Sequence, residues 1–542
     1  MTKPWFEQYD PWVPEEIDAE AYDSVVDIMM EAGERFGENV AFSNFGATKT
    51  YFEVLSLSRD FAAYLQSEIG IVKGDRVAMM APNMMAFPIA MLGILRAGGV
   101  QVNVNPLYTA RELEHQLNDA DVDTIVIFSG STETLAEVIG DTGIKNVIVA
   151  SLDDLVDLGL PSPPVDAGIS NPVAFTDAMA IGRKLDFAAV ELSGDDLIYL
   201  QYTGGTTGLS KGAMLTHRNL VANIMQFESF AGDYIKFGED VVVTAIPMYH
   251  IFALMVNTLS YFKFGATNVM ITNPRDMPAF VAEWSRWQVS VFTGVNTLFN
   301  GLLHTPGFSD LDFSQLGISM GGGAPVQEAV SDVWKSVTGQ HIREGYGLSE
   351  TSPVLTVNPF GMKEFKSSIG VPVPSTDISL RDDDGNEVAP GERGELCAKG
   401  PQVMKGYWRN DEATAKVMTD DGYFCTGDIA VMDETGFFRI VDRKKDMILV
   451  SGFNVFPNEI EAEVAKIPKV LECACIGVPD DKSGEAVKVF IVNADESFTE
   501  KAVRAHCKDG LTGYKVPRQI VFIDELPKSA VGKILRRELR NY

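Results

Sequence analysis

Apolar residues follow two spacings along this chain. From about residue 50 onward, short unbroken apolar runs at 124–128, 146–150, 196–202, 241–246 and 269–272 alternate with other stretches. In those stretches, such as 54–68 and 111–119, apolar positions recur every three to four residues. The unbroken runs suit strands covered on both faces, and the longer period suits helices with one face on a core. Their alternation predicts an α/β organisation with substantial parallel sheet. After about residue 365 the texture changes. Asp382-Asp383-Asp384-Gly385-Asn386, Pro390-Gly391-Glu392 and Asp433-Glu434-Thr435-Gly436 read as tight turns between short strands, so a small antiparallel, β-barrel-like unit is expected at about 365–440. The last hundred residues return to mixed α+β. There Pro457-Asn458-Glu459 opens a helix with Ile460, Val464 and Ile467 on one face.

One apolar stretch approaches the length of a membrane span. Residues 77–95 carry no charge between Arg76 and Arg96. Pro82, Asn83 and Pro88 interrupt it, so it divides into a short strand at 77–80 and a buried helix at 84–97. The N-terminus, MTKPWFEQYDPWVPEEIDAE, has no apolar h-region, and no signal peptide is expected.

Charge adds a boundary that hydropathy does not reveal. The 542 residues hold 45 Lys+Arg and 75 Asp+Glu, a net of −30. Residues 443–542 carry 17 basic and 15 acidic side chains, a net of +2, and residues 1–442 carry 28 and 60, a net of −32. The fold class expected is therefore α/β in two parts. A large N-terminal domain, 1–442, consists of α/β subdomains plus the small β unit, and a small α+β domain covers 443–542. A body this acidic repels polyanions, which argues against nucleic acid as a partner. Five cysteines, an odd number, exclude a fully paired disulfide framework, and no zinc spacing occurs. Reduced thiols and a cytoplasmic location are expected, with peripheral contact at the inner face of the membrane and a homodimer left open.

The most informative segment is YTGGTTGLSKG (202–212), directly after a strand-like run. Gly204, Gly205 and Gly208 bring backbone N–H groups close to an anion. Thr203, Thr206 and Thr207 add hydroxyls, and Lys211 adds positive charge. It is not a Walker A loop, because Ser210 precedes the lysine and Gly212 follows it. No complete G-x-G-x-x-G occurs, which disfavours a dinucleotide fold.

This segment resembles the phosphate loop of the adenylate-forming superfamily of acyl-CoA synthetases, luciferases and peptide-synthetase adenylation domains. GYGLSET (345–351), YFCTGD (423–428), RIVDRKKDMI (439–448), SGFNVFPNEIE (451–461) and PKSAVGKILRREL (527–539) resemble its later motifs, in order. NVNPLYTARELEHQLNDA, VDRKKDMILVSGFNVFPNEIE and LTGYKVPRQI are similar to bacterial long-chain fatty-acid–CoA ligases in particular.

The resemblance implies roles, residue by residue. Gly323 and Ala324 line an adenine site, and Tyr346, between Gly345 and Gly347, stacks on the base. Ser349 stands where the family more often has Thr and keeps the hydroxyl. Glu350 binds Mg²⁺, for which a hard oxygen ligand is suited. Asp428 and Arg443 contact ribose, and Lys445 is the hinge about which the small domain, 443–542, is mobile. Gly452, Phe453 and Asn454 serve the CoA step. Lys533, in a tail whose last 28 residues hold 7 basic and 3 acidic side chains, bridges carboxylate and α-phosphate as charge builds on both. His250 stays outside the catalytic set. Asn296 departs from the proline many members carry, which leaves the acyl-pocket wall open. The activity implied is AMP-forming fatty acyl-CoA synthesis from a fatty acid, ATP and CoA, with Mg²⁺. The alternatives are a carrier-protein ligase, a luciferase-like enzyme, or a fatty-acid uptake component without catalysis.

Overall fold

The computed structural model describes residues 3–203, 210–451, 453–467, 470–480, 482–493, 499–529 and 532–542. The chain forms two compact units. The larger comprises Trp5–Asp377 with Lys399–Met418, and the smaller comprises chiefly Ile378–Ala398 with Thr419–Tyr542.

Two sheets organise the larger unit. One has, among the described residues, seven strands. Val173–Ala174, Asn146–Ala150, Thr124–Phe128, Arg76–Met80, Val100–Asn103 and Leu197–Thr203 run parallel, and Lys211–Thr216 closes the edge as an antiparallel hairpin partner. The other has nine described strands around a parallel centre that includes Val241–Thr244, Val291–Gly294 and Ile318–Gly321. The expected α/β alternation is realised, because each apolar run is a strand whose two faces are covered. Val102, Ile125, Ile127 and Leu200 lie in one core, and Val243, Val269, Phe292 and Trp334 in another.

The uncharged stretch 77–95 becomes the strand Arg76–Met80 and the helix Ala86–Arg96, every residue of which is buried. Arg96 closes that helix by donating to the Leu55 carbonyl at 2.5 Å and to Ser58 Oγ at 3.0 Å. No described helix is long and apolar enough to cross a membrane.

The smaller unit holds an antiparallel sheet of four described strands, Asp377–Arg381, Arg393–Lys399, Phe424–Met432 and Phe438–Arg443, where turn-rich sequence predicted a small β unit. An α+β body with five described strands follows, built on the long hairpin of Val470–Asp480 and Gly484–Asn493. Its helix Pro457–Val464 places Ile460 and Val464 in the core, and Ile467 packs there too, as the spacing required. Proline is tolerated at the first helical position because that N–H has no partner within the helix.

Candidate active site

The ends of the expected phosphate loop are fixed by strand pairing. Thr203 pairs with Lys211 and Tyr202 with Gly212 across the edge hairpin. Gly204, Gly205, Thr206, Thr207 and Gly208 lie outside the described residues. The helix Ala110–Asp119 holds the base of this hairpin. It starts at a reciprocal cap in which Thr109 and Glu112 each satisfy the other's backbone N–H. One turn on, His115 Nε2 lies 3.0 Å from the Ser210 carbonyl. At its end Asp119 Oδ2 accepts from the Tyr202 hydroxyl at 2.5 Å.

A third segment completes this part of the site. Residues 405–408 pair with 212–214: Lys405 N donates to Met214 O at 3.0 Å, Met214 N to Gly406 O at 2.9 Å, and Trp408 N to Gly212 O at 2.8 Å. That pairing places the Tyr407 ring under the Lys211 ammonium, 4.6 Å from its centroid. The Tyr407 hydroxyl donates to Glu350 Oε1 at 2.8 Å, with Tyr407 5% and Glu350 8% exposed. Burial, then the Glu350 carboxylate, push the Tyr407 phenol well above its ordinary value, so it remains a donor. Lys211 and Glu350, 139 positions apart, are thus joined through one aromatic side chain. Sequence reasoning did not single out Tyr407. Its signal is slight, an aromatic after Gly406 in a turn-rich stretch, and no spacing links it to 211 or 350.

Glu350 is aimed by the turn that follows the strand Arg343–Gly347. Gly345 and Tyr346 pair with Val357 and Thr356 on the neighbouring strand. At Gly347 a Cβ would lie 1.8 Å from the Pro353 carbonyl oxygen, a close approach only glycine permits. Thr351 Oγ1 accepts from Leu348 N at 3.0 Å and donates to Pro353 O at 2.5 Å, which shapes the turn carrying Ser349 and Glu350. Tyr346 is half-buried, as a ring offering a face to a ligand would be. Gly323 and Ala324 leave the strand Ile318–Gly321, Gly323 exposed and Ala324 half-buried. His250 Nδ1 accepts from Phe252 N at 3.3 Å, a local bond, and Asn296 Oδ1 accepts from Gln327 N at 2.9 Å, which joins the start of one helix to the residue before another.

In the smaller unit, Asp428 and Arg443 are direct partners across adjacent strands. Arg443 Nε lies 3.6 Å from Asp428 Oδ1. Gly427 precedes Asp428 at φ +75°, where a side chain would strain the backbone. Its N–H donates to Glu395 Oε1 at 3.1 Å, and its carbonyl accepts from Lys444 N at 2.9 Å. The strand pairing thus continues to the residue before Lys445. Burial pulls the Lys445 ammonium below its ordinary value.

Lys533 is held by backbone hydrogen bonds among the residues around it. Ser529 N donates to Lys533 O at 2.8 Å and Gly532 N to Ser529 O at 2.9 Å. Burial first, then the Arg443 guanidinium, pull the Lys533 ammonium down to about 7, with Asp428 opposing them. Asp428, Arg443, Lys445 and Lys533, separated by up to 105 positions, therefore act on one another electrostatically.

Three residues beyond Lys533, Arg536 ties the tail to the segment 442–461. It donates to Glu461 Oε2 at 2.8 Å and Asn458 Oδ1 at 2.6 Å, and lies 3.7 Å from Asp442 Oδ1 and 3.6 Å from Asp446 Oδ2. Phe453 and Asn454 are exposed on the strand Phe453–Val455, where Phe453 stacks on Tyr514 with centroids 4.7 Å apart. Gly452 lies outside the described residues.

The described geometry sets a lysine over an aromatic ring and a buried carboxylate on that ring's hydroxyl. A family model for AMP-binding enzymes matches residues 29–408, and one for the AMP-binding enzyme C-terminal domain matches residues 459–533. The chain belongs to the AMP-binding enzyme family. A long-chain-fatty-acid–CoA ligase of Yersinia pestis is 50% identical to it over 552 aligned residues, covering 100% of this chain and 98% of the relative. Among solved structures, the ATP-bound MatB of Rhodopseudomonas palustris is similar at TM-score 0.82 and 29% identity, covering 95% of this chain and 98% of that one. A Mycobacterium tuberculosis fatty acyl-CoA synthetase is similar at TM-score 0.72 and 26% identity, covering 96% and 98%. The Lys211–Tyr407–Glu350 group lies in the larger unit and the Asp428–Arg443–Lys533 group in the smaller.

Proposed function

We propose that the protein is an AMP-forming long-chain fatty-acid–CoA ligase. The observation that carries this reading is the end-to-end likeness to the Yersinia pestis ligase at 50% identity. In the first step the fatty-acid carboxylate attacks the α-phosphorus of ATP and pyrophosphate leaves. In the second the CoA thiolate attacks the acyl-adenylate carbonyl and AMP leaves. The nucleophiles come from the substrates, so the chain's residues bind, orient and neutralise charge.

Lys211, aimed by the hairpin and the Tyr407 ring, would neutralise the leaving phosphates. Tyr346, Gly323 and Ala324 would hold the base, and Asp428 with Arg443 the ribose. Lys533 would meet the charge that builds on the carboxylate and α-phosphate. Among the described residues no three His, Cys, Asp or Glu side chains cluster for a metal. One buried carboxylate, Glu350, fits Mg²⁺, which is held by one or two carboxylates together with substrate phosphates. When bound, it would neutralise phosphate charge. The division into 1–442 and 443–542, with Lys445 as pivot and Gly452, Phe453 and Asn454 facing CoA, belongs to the same proposal. So do a cytoplasmic location and peripheral membrane contact, which vesicle co-sedimentation tests.

Pyrophosphate release with oleate, ATP and Mg²⁺, with and without CoA, tests the reading. Oleate-dependent pyrophosphate and CoA-dependent oleoyl-CoA are expected. Pyrophosphate without thioester would point to a carrier-protein or luciferase-like enzyme. Neither product would leave only a binding role.

A further inference from the structure

We propose that Cys397 and Cys425 form an oxidant-reactive dithiol that a peroxide closes to a disulfide. The two are direct partners across the antiparallel strands Arg393–Lys399 and Phe424–Met432. Their sulfur atoms are 2.9 Å apart. An S–S bond is about 2.0 Å long, so closure asks for a movement of about 1 Å. The pair has no part in the reaction proposed above, and the inference stands independently of the proposed ligase activity.

The pair is asymmetric in a way that orders the chemistry. Cys397 is buried and Cys425 half-buried, so an oxidant in solution meets Cys425 first. The contact from Cys397 holds the Cys425 thiol below its ordinary value against burial and the Glu395 carboxylate, which oppose it, and Arg381 and Lys444 add to the lowering. The same contact, then burial, push the Cys397 thiol up. Arg381 is fixed nearby by Asp421, at 3.0 and 2.6 Å, and by the Tyr423 ring, 4.6 Å from its guanidinium carbon. Cys425 is thus the attacking sulfur and Cys397 the resolving one.

The Cys425 thiolate attacks the peroxide oxygen, the O–O bond breaks, and one water leaves once protonated, giving a sulfenic acid. The Cys397 sulfur attacks the Cys425 sulfur, its proton passes to the departing hydroxyl, and a second water leaves. Both sulfurs are oxidised and the peroxide is reduced. The other cysteines serve as internal controls: Cys473, Cys475 and Cys507 are buried, and burial pushes each thiol up. In a reducing compartment the pair rests as thiols and closes only under oxidant.

The test is hydrogen peroxide treatment of the full chain, followed by thiol counting under denaturing conditions and peptide mass mapping. The expected result is loss of two of the five thiols, a mass decrease of about 2 Da, a cross-linked peptide pair containing 397 and 425, and full reversal by dithiothreitol. In Cys397→Ser, dimedone should trap a sulfenic acid at Cys425, and Cys425→Ser should resist the same dose. Oxidation spread evenly over all five cysteines, sulfinic acid at Cys425 without a cross-link in the parent, or no thiol loss at doses that oxidise a small-molecule dithiol would each overturn the proposal.

Discussion

Replacing Tyr407 with phenylalanine isolates the link between the two halves of the phosphate site. The ring, and with it the Lys211 contact at 4.6 Å, is retained. What disappears is the hydroxyl that donates to Glu350 Oε1 at 2.8 Å. Tyr407 and Glu350 are 5% and 8% exposed, so water replaces that donor poorly. A hydrogen bond to a charged group contributes about 1.5–3 kcal/mol. At 1.36 kcal/mol per tenfold, kcat/KM for ATP should fall roughly 10- to 150-fold, if the bond aims Glu350 throughout the reaction. Because the bond acts through Glu350, the Mg²⁺ concentration for half-maximal rate should rise as well. Tyr407→Leu removes the ring too and should lose a further roughly 0.5–2 kcal/mol of cation–π attraction. Pyrophosphate release across an Mg²⁺ titration is the assay, for single variants and for Tyr407→Phe combined with Glu350→Gln. Since both changes break one contact, the double variant should be less impaired than the two losses combined. A Tyr407→Phe enzyme within twofold of the parent in kcat/KM and in Mg²⁺ requirement would refute the positioning argument, and so would full additivity.

Three further outcomes are expected. Lys533→Ala should slow acyl-adenylate formation by about 10²–10³, while CoA transfer from supplied acyl-adenylate is largely spared; equal losses in both half-reactions would contradict its role. With Lys533 drawn down to about 7, its charge is present below that pH, so adenylation should decline as pH rises through about 7, and Lys533→Arg should flatten that limb. Between about 7 and its ordinary value of 10.5 the unfolded chain binds the extra proton, so the stability penalty of burying this ammonium is full below 7 and fades with rising pH. Lys445→Pro fixes φ near −65° and removes an N–H; pyrophosphate release should stay near normal while the CoA-dependent step falls, and parent-rate acyl-CoA synthesis would place the pivot elsewhere. Arg536→Met leaves Asp442, whose side chain is 0% exposed, and Glu461 without their cation, so urea unfolding of the smaller unit should show a loss of about 3–5 kcal/mol.

Hydropathy by itself determined the alternation of strands and helices, the buried rather than membrane-spanning nature of 77–95, and the change to turn-rich β structure after about 365. These are local matters: period, proline and turn residues act within a few positions of themselves. The sequence also marked Lys211 through its glycine-threonine loop, and Glu350, Asp428, Arg443 and Lys533 through the resemblance of their short motifs to the adenylate-forming superfamily. It did not reveal which of them meet. The pairing of 405–408 with 212–214 places Tyr407 between Lys211 and Glu350, and no periodicity encodes a contact between segments nearly two hundred residues apart. The facing of Cys397 and Cys425 is likewise a matter of register, since a slip of one residue would turn the two thiols to opposite faces of the sheet. For Lys533 the sequence marks the motif but not the proton affinity. Its weakened hold on a proton comes from the tail folding back beside Arg443 and Asp428 and excluding water there, and burial of that kind exists only once the tertiary structure has closed.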